Sequence, residues 1–197
     1  ELKSQLAHIA DGKPPDTAAP QTLKEVSLGD RALFKLAIGD RVLRKDSLLE
    51  GVPVYSANVS KPFAHVAESN IRDFAKPSLL WGIDGIFDWG YVEANSPFAS
   101  TDHCGVLNII DETIFPKYVY YMLRASKDEY GFDRTFRANL DNVKKFVRLK
   151  IPVDGSGIFD ELAQQRIIER YERLDRIKQD LTARLAQLSD MQVVLED

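Results

Sequence analysis

With one cysteine in 197 residues, the chain can form no internal disulfide. The same scarcity bears on metals: His8, His65, His103 and Cys104 are the only soft ligands present, and none has ligand-pair spacing, so neither a metal nor a cofactor is expected. No run approaches the roughly 18 apolar residues that a membrane helix needs, which argues against a membrane-spanning helix. Nothing near Glu1 joins a basic start to a long apolar stretch, so no signal peptide is visible, and the lone thiol suits a cytoplasmic protein. An excess of basic residues is also lacking. The 26 Lys and Arg are outnumbered by 30 Asp and Glu, giving a net charge of -4 that does not by itself announce a nucleic-acid partner.

The charge is unevenly placed. Residues 1–150 hold 20 bases and 20 acids and are neutral, while residues 151–197 hold 6 bases and 10 acids and carry the whole imbalance. Within the neutral part, bases gather in "GDRVLRKD" (Arg41, Arg44, Lys45) and in "RTFRANLDNVKKFVRLK" (Arg134, Arg137, Lys144, Lys145, Arg148, Lys150). Organisation follows the same division. Residues 1–22 combine a short helical pattern at Leu2, Leu6 and Ile9 with the linker "DGKPPDTAAPQT". From 23 to 155, strand-like runs at 52–59, 77–85, 103–110 and 144–153 alternate with turn signals, and 115–132 has helical spacing opened by Pro116 and closed by Gly131. These features predict a mixed α/β (α+β) globular domain.

From Phe159 onward there is no Gly or Pro. Ile167, Leu174, Leu181, Leu188 and Leu195 recur every seven residues, and Tyr171, Lys178, Leu185 and Gln192 fill the second seam position. Residues 156–197 therefore read as a long coiled-coil helix of about 50 Å that needs a partner, either another chain or its own domain.

Several stretches invite a chemical reading. In "STDHCG" (100–105), Asp102, His103 and Cys104 stand side by side, but on a strand His103 and Cys104 face apart, and a strand offers no helix N-terminus to make a thiolate. The plainer reading has Cys104 in the core and His103 making a structural hydrogen bond. "VDGSGIF" (153–159) has the outline of a nucleotide-binding turn but leads into an acidic helix rather than a crossover. "NSPF" (95–98) lacks the first proline of the N-P-P-Y/F motif of adenine methyltransferases. Asp84, Asp88 and Asp102 read as turn-capping groups before metal ligands. "WGIDGIFDWGYVEANSPF" sets aromatics among polar residues, with Trp81 expected in the core and Trp89 and Tyr91 in a turn-rich stretch where exposure would imply use.

Taken together, "FKLAIGDRVLRKDSLLEGVPVYSANVSKPFAHV" (34–66), "PSLLWGIDG" (77–85), "STDHCGVL" (100–107), "PKYVYYML" (116–123), "FRANLDNVKKFVRLKIPV" (136–153) and "LAQQRI" (162–167) resemble, in order and spacing, the specificity subunit of type I restriction-modification systems. The resemblance runs from about Leu23 to Leu188. It implies a non-catalytic target-recognition domain that reads one half of a split double-stranded DNA site. It also implies a helical spacer that docks DNA adenine methyltransferase subunits, with a restriction or translocase subunit as a further partner. The family commonly places a proline-rich turn and a Glu-Gln pair before the spacer, where this chain has "VDGSGIF" and Gln164-Gln165. Full-length members carry two recognition domains and two helices, and this chain has one set. It is expected to be a half-subunit that pairs with itself or with a second recognition half through the coiled coil, or one domain of something longer.

Because members read different targets, stretches that match the shared pattern, "STDHCG" included, are expected to be scaffold. Base contacts are expected instead in 64–76, 86–98 and 127–139, where Asn70, Arg72, Trp89, Asn95, Arg134 and Arg137 have suitable chemistry: Arg for guanine, Asn for adenine, aromatics for thymine methyl groups. Arg41, Arg44, Lys45, Lys144 and Lys145 are expected on phosphates, and Ile167, Tyr171, Leu174, Leu181, Leu185 and Leu188 in the helix seam. Three other assignments follow from parts of the pattern: the recognition region of a single-chain methyltransferase-endonuclease fusion, a coiled-coil interaction protein with no DNA role, and a thiol enzyme.

Overall fold

The structure is a computed structural model that describes residues 22–193; the side chains of Arg44 and of residues 188–193, including the seam position Leu188, lie outside what it describes. The N-terminal helical pattern and most of the linker expected at 1–22 fall outside the described residues as well. Nine strands and three α-helices follow in chain order among the described residues. They are β1 (Leu23–Ser27), β2 (Phe34–Ile38), β3 (Val52–Tyr55), β4 (Ala64–Val66), β5 (Ser78–Gly82), β6 (Trp89–Val92), β7 (Ala99–Ser100), β8 (Cys104–Ile109), α1 (Pro116–Ala125), α2 (Leu140–Phe146), β9 (Arg148–Pro152) and α3 (Glu161–Val193).

The central sheet has the order β2-β8-β5-β6 and is antiparallel throughout. Its β5, "SLLWG", is buried at every position because both faces are covered. Leu79 and Trp81 point into the main core with Leu107 and Ile109, while Leu80 packs on the other face with Cys104, Val106 and Phe98. That two-sided burial explains an apolar run where a half-exposed strand would alternate. Over the second face lies the small sheet β4-β3-β7, whose β3 and β7 run parallel, and a separate ribbon pairs β1 with β9.

Two sequence expectations change in detail. Residues 144–146, read as the start of a strand, close helix α2 instead, because the Asn139 side chain accepts from the Asn142 N–H at 2.9 Å and starts a helix that buries Val143. Extended structure then covers only Arg148–Pro152. The run at 52–59 ends as a strand at Tyr55, since the Asn58 side chain accepts from Ser60 N and folds the chain into a turn.

The long helix is anchored at its start. Asp160 caps it by accepting from Ala163 N at 2.9 Å, and the fully buried Gln164 accepts from Phe115 N and donates to Thr113 O, each at 2.9 Å. Ala163, Ile168 and Tyr171 are buried against the domain, and Tyr171 stacks on Tyr121 of α1 with ring centroids 4.9 Å apart. This corrects the expected seam. Tyr171 is spent in the domain core, and Ile167 packs against that core as well, so the free part of the helix begins only after its third turn. Beyond it, Leu174 is half-buried and Ile177, Leu181 and Leu185 form an exposed apolar row, the last two at 45% and 67% exposure. Among the described residues no helix is long and apolar enough to cross a membrane.

One contact in the central sheet admits no side chain. A Cβ at Gly105 would lie 2.1 Å from the Trp81 indole, whose Nε1–H donates to Ala138 O at 2.8 Å. Gly105→Ala is expected to cost at least about 1–3 kcal/mol through this overpacking, read as a lowered denaturant midpoint. An unchanged midpoint would contradict the packing described.

Candidate nucleic-acid interface

Strand pairing decides which loops meet. Ile38 pairs with Gly105 and Gly82 with Cys104, so the end of β2, the start of β8 and the end of β5 lie together at one edge of the central sheet, and Trp81 opposite Trp89 brings the start of β6 to the same edge. Three connections leave from there: 39–45, 101–103 and 83–88. A fourth segment, 127–139, is tied in by the Trp81 bond to Ala138 O and by Lys127 on Asp88 at 3.1 Å.

This edge collects several of the expected DNA-contacting residues. Arg41 follows Gly39 and Asp40, whose N–H groups donate to Cys104 O at 3.3 Å and Ser100 O at 3.1 Å, and both Arg41 and Lys45 are exposed. Arg134 and Arg137 are exposed on the fourth segment. Its backbone is ordered by Asp133, which accepts from Thr135 N and Phe136 N, two donors that hold its carboxyl below the usual carboxylate range. Arg137 lies on Asp84 at 2.5 Å, and the other Asp84 oxygen is bonded to His103 Nδ1. Arg134 has no ion-pair partner among the described residues. Between the 83–88 and 127–134 segments is a shallow cavity of about 260 Å³ whose walls include Ile86, Phe87, Phe132, Lys127 and Arg134.

An aromatic path links this edge to helix α2. Phe87 meets Phe132 at 4.9 Å, Phe132 meets Phe136 at 5.1 Å, and Phe136 meets Phe146 at 5.3 Å, with Lys145 Nζ 5.1 Å from the Phe146 ring. Lys145 is exposed beside the arginine segment, whereas Lys144 is half-buried and its carbonyl accepts from the Oγ of Ser27, the last residue of β1.

The remaining expected residues are elsewhere. Trp89 is 3% exposed, wedged against Trp81 and Phe87, and cannot reach a base, because its pairing opposite Trp81 turns its ring inward. Asn70 uses its amide on the backbone, donating to Ser100 O at 2.7 Å and accepting from Ser100 N at 3.0 Å, so it fastens a loop to β7 instead of offering both groups to adenine. Asn95 sits in a left-handed turn with φ of 59° after β6, at the opposite end of the sheet, where its N–H donates to Phe74 O. Arg72 is exposed on the loop between Asn70 and β5.

Sequence reasoning overlooked Ile86 at this edge, read Asp84 as a turn-capping group and gave His103 a structural hydrogen bond, which it makes to Asp84. Ile86 is 88% exposed at the tip of its loop beside Gly85, an apolar group at a position where burial offers no reason for it. The signal was present in a lone Ile between turn residues. The Asp84–His103 contact joins two stretches that no local pattern connects.

Three solved structures with this architecture come from type I restriction-modification systems. The S subunit of a type I restriction-modification system from M. genitalium matches with a TM-score of 0.61 at 17% identity, over 96% of this chain and 47% of that one. The HsdS subunit from Thermoanaerobacter tengcongensis gives 0.59 at 15% identity, over 92% and 45%. A structure determined to explain complex assembly and conformational transition of the type I R-M system gives 0.62 at 16% identity, over 99% and 47%. The fold is that of a type I S subunit. The chain spans about half the length of these S-subunit structures. No protein-family model and no curated protein sequence matches it.

Within this S-subunit fold, "STDHCG" divides by residue. Ser100 and Thr101 are buried and bonded to Cys104 O and Ser56 Oγ, and Cys104 is fully buried, its thiol pushed up to about 11 by burial. His103 turns outward to Asp84, away from the thiol, so the buried Cys104 has no neighbouring base among the described residues and does not suit the thiol-enzyme assignment. With its thiol near 11, the folded chain is expected to hold roughly a hundredfold less thiolate at pH 8 than an unburied thiol does. Alkylation of native Cys104 at that pH is therefore expected to be at least that much slower than in urea, and to speed up as pH rises toward 11. Equal rates in the two states would contradict the burial.

Proposed function

We propose that this chain is a non-catalytic DNA-reading half of a type I specificity subunit. It recognises one half of a bipartite double-stranded DNA site and directs adenine methyltransferase and restriction subunits to it. The observation that supports this reading is the shared sheet edge, where Arg134 lines one cavity with the exposed Ile86, Arg137 is paired with Asp84, and the loop that carries Arg41 is bonded to Ser100 and Cys104. In a chain of net charge -4, such local gathering is what a backbone-following surface requires. Arg41, Lys45 and Lys145 hold phosphates and fix register, and Arg134 and Arg137 reach base edges or the phosphates beside them. Ile86 suits a thymine methyl group. Arg72 and Asn95 lie outside this cluster and make at most flanking contacts.

The helix supplies the second half of the function. Its exposed row of Ile177, Leu181 and Leu185 pairs with the same row of a second copy or a second recognition half, and its length of about 50 Å sets the spacing between half-sites. An interaction protein with no DNA role would use the same row but would not need the arginines at the sheet edge.

Selection from a randomised duplex library at fixed moderate salt tests this reading, with the Arg134→Ala, Arg137→Ala double variant in parallel. Enrichment of a short motif is expected, weakened about tenfold or more in the variant. An inverted pair of motifs marks a two-fold dimer. Absence of any enriched motif, with a methyltransferase partner also present, would overturn the proposal.

A further inference from the structure

The two arginines of the 127–139 segment differ in how they are held. Arg134 is exposed and has no ion-pair partner among the described residues, so its side chain keeps its rotamer freedom and its full charge. Arg137 is fixed: its Nη2 lies 2.5 Å from Asp84 Oδ1, with its side chain still half-exposed. Asp84 is held in turn by His103 Nδ1 on its other oxygen, so both carboxylate oxygens are taken by side chains from different connections. Asp88, the last residue of the same loop, accepts from the Trp89 N–H with one oxygen and pairs with Lys127 through the other. Asp84 does not cap its turn; it faces the arginine.

This arrangement separates two uses of an arginine on DNA. A phosphate contact depends mainly on net charge, and a carboxylate beside the guanidinium cancels much of that charge. A base contact depends on the direction of the donors, and a guanidinium presents five N–H groups in a rigid fork, of which Asp84 engages Nη2. The remaining donors stay exposed and are aimed in advance, which lowers the ordering cost that a free arginine bears when it binds. The mount is rigid on both sides. Asp84 follows Gly82, whose Cβ would strike Ala57 O at 2.2 Å, and Ile83, whose N–H bonds to His103 O at 3.0 Å. Arg137 precedes Ala138, whose carbonyl is fixed by Trp81, and its own carbonyl accepts from Asn142 at 2.8 Å. A surface ion pair contributes little to stability, so such a mount has small value to the fold alone.

We infer that Asp84, braced by His103, is a positioning residue that presents Arg137 to a guanine in the major groove, while the unpaired Arg134 serves the phosphates. The assignment rests on the DNA-reading function proposed above and names the specificity determinant within it. The residues divide between stretches: Asp84 and His103 lie in "WGIDG" and "STDHCG", and the side chain they orient lies in the segment 127–139.

The full chain and its Asp84→Ala, Arg137→Ala, Asp84→Ala/Arg137→Ala and Arg134→Ala variants are put through the same duplex selection, followed by titration of single-base variants of the enriched motif. Arg137→Ala is expected to lose about tenfold or more in discrimination for guanine at one position. Asp84→Ala is expected to lose it at the same position, and the double variant to be no worse than Arg137→Ala alone. Arg134→Ala is expected to weaken all sequences alike and to lower the salt dependence. Asp84→Asn, which preserves the side-chain volume, covers the case in which Asp84→Ala does not fold, and His103→Gln is expected to give a partial loss at that position. If Asp84→Ala keeps the guanine preference, or binds every sequence more tightly, Asp84 merely restrains a charge and the inference is overturned while the DNA-reading function stands. If the unmodified chain selects no motif, both fall.

Discussion

Trp81 occupies the space over Gly105 and donates its indole N–H to Ala138 O, and much of the arrangement at the sheet edge depends on that one placement. The ring is fully buried between β5 and β8, with Trp89 and then Phe87 packed on its far side. Its single polar group finds its partner in a segment 57 residues further along the chain. A buried indole left without that bond would carry an unmet desolvation cost, so the sheet and the 127–139 segment hold each other in register. With it, the Lys127–Asp88 pair and the Phe87–Phe132 contact hold the arginine segment beside Asp84 and Ile86.

The same economy governs the long helix. Its first turns are bound to the domain by the Asp160 cap, the two-ended amide of Gln164 and the Tyr121–Tyr171 stack, and Lys117 on Glu172 at 2.8 Å closes the contact from α1. Orientation is fixed at the base of the helix, and the apolar row is carried outward on a rigid rod. A spacer must have both properties, because freedom at its base would spoil any fixed distance between two reading domains. The helix itself carries six acids and six bases, so the excess acids of residues 151–197 lie outside it, Asp154 and Asp160 just before its start.

Much of this was legible in the sequence. Helix spacing opened by Pro116 and closed by Gly131 marked α1 and the short turn after it, and Gly131 indeed takes a left-handed φ of 65°. Trp81 and Cys104 read as core because each sits in an apolar strand. What was not legible required a partner distant in sequence. Asn70 looked like a base reader by its amide, and only its pairing with Ser100 shows the amide already used. Trp89 read as exposed because glycine and aspartate surround it, but strand pairing turned it inward. Tyr171 fitted a heptad perfectly well, and the domain's own α1 supplied the neighbour first. His103 was assigned to scaffold along with the rest of "STDHCG"; its outward turn onto Asp84 follows from the tight turn at 101–103, which no residue spacing reveals.

Hydrogen exchange of the full chain, free and bound to a duplex carrying its selected motif, tests the central claim most directly, with a scrambled duplex as reference. The account predicts motif-dependent protection in 83–88, 101–103 and 127–139, and little change in β1, β9 or the distal half of the long helix. Protection confined to the β1–β9 ribbon or the helix, with the sheet edge unchanged, would contradict it.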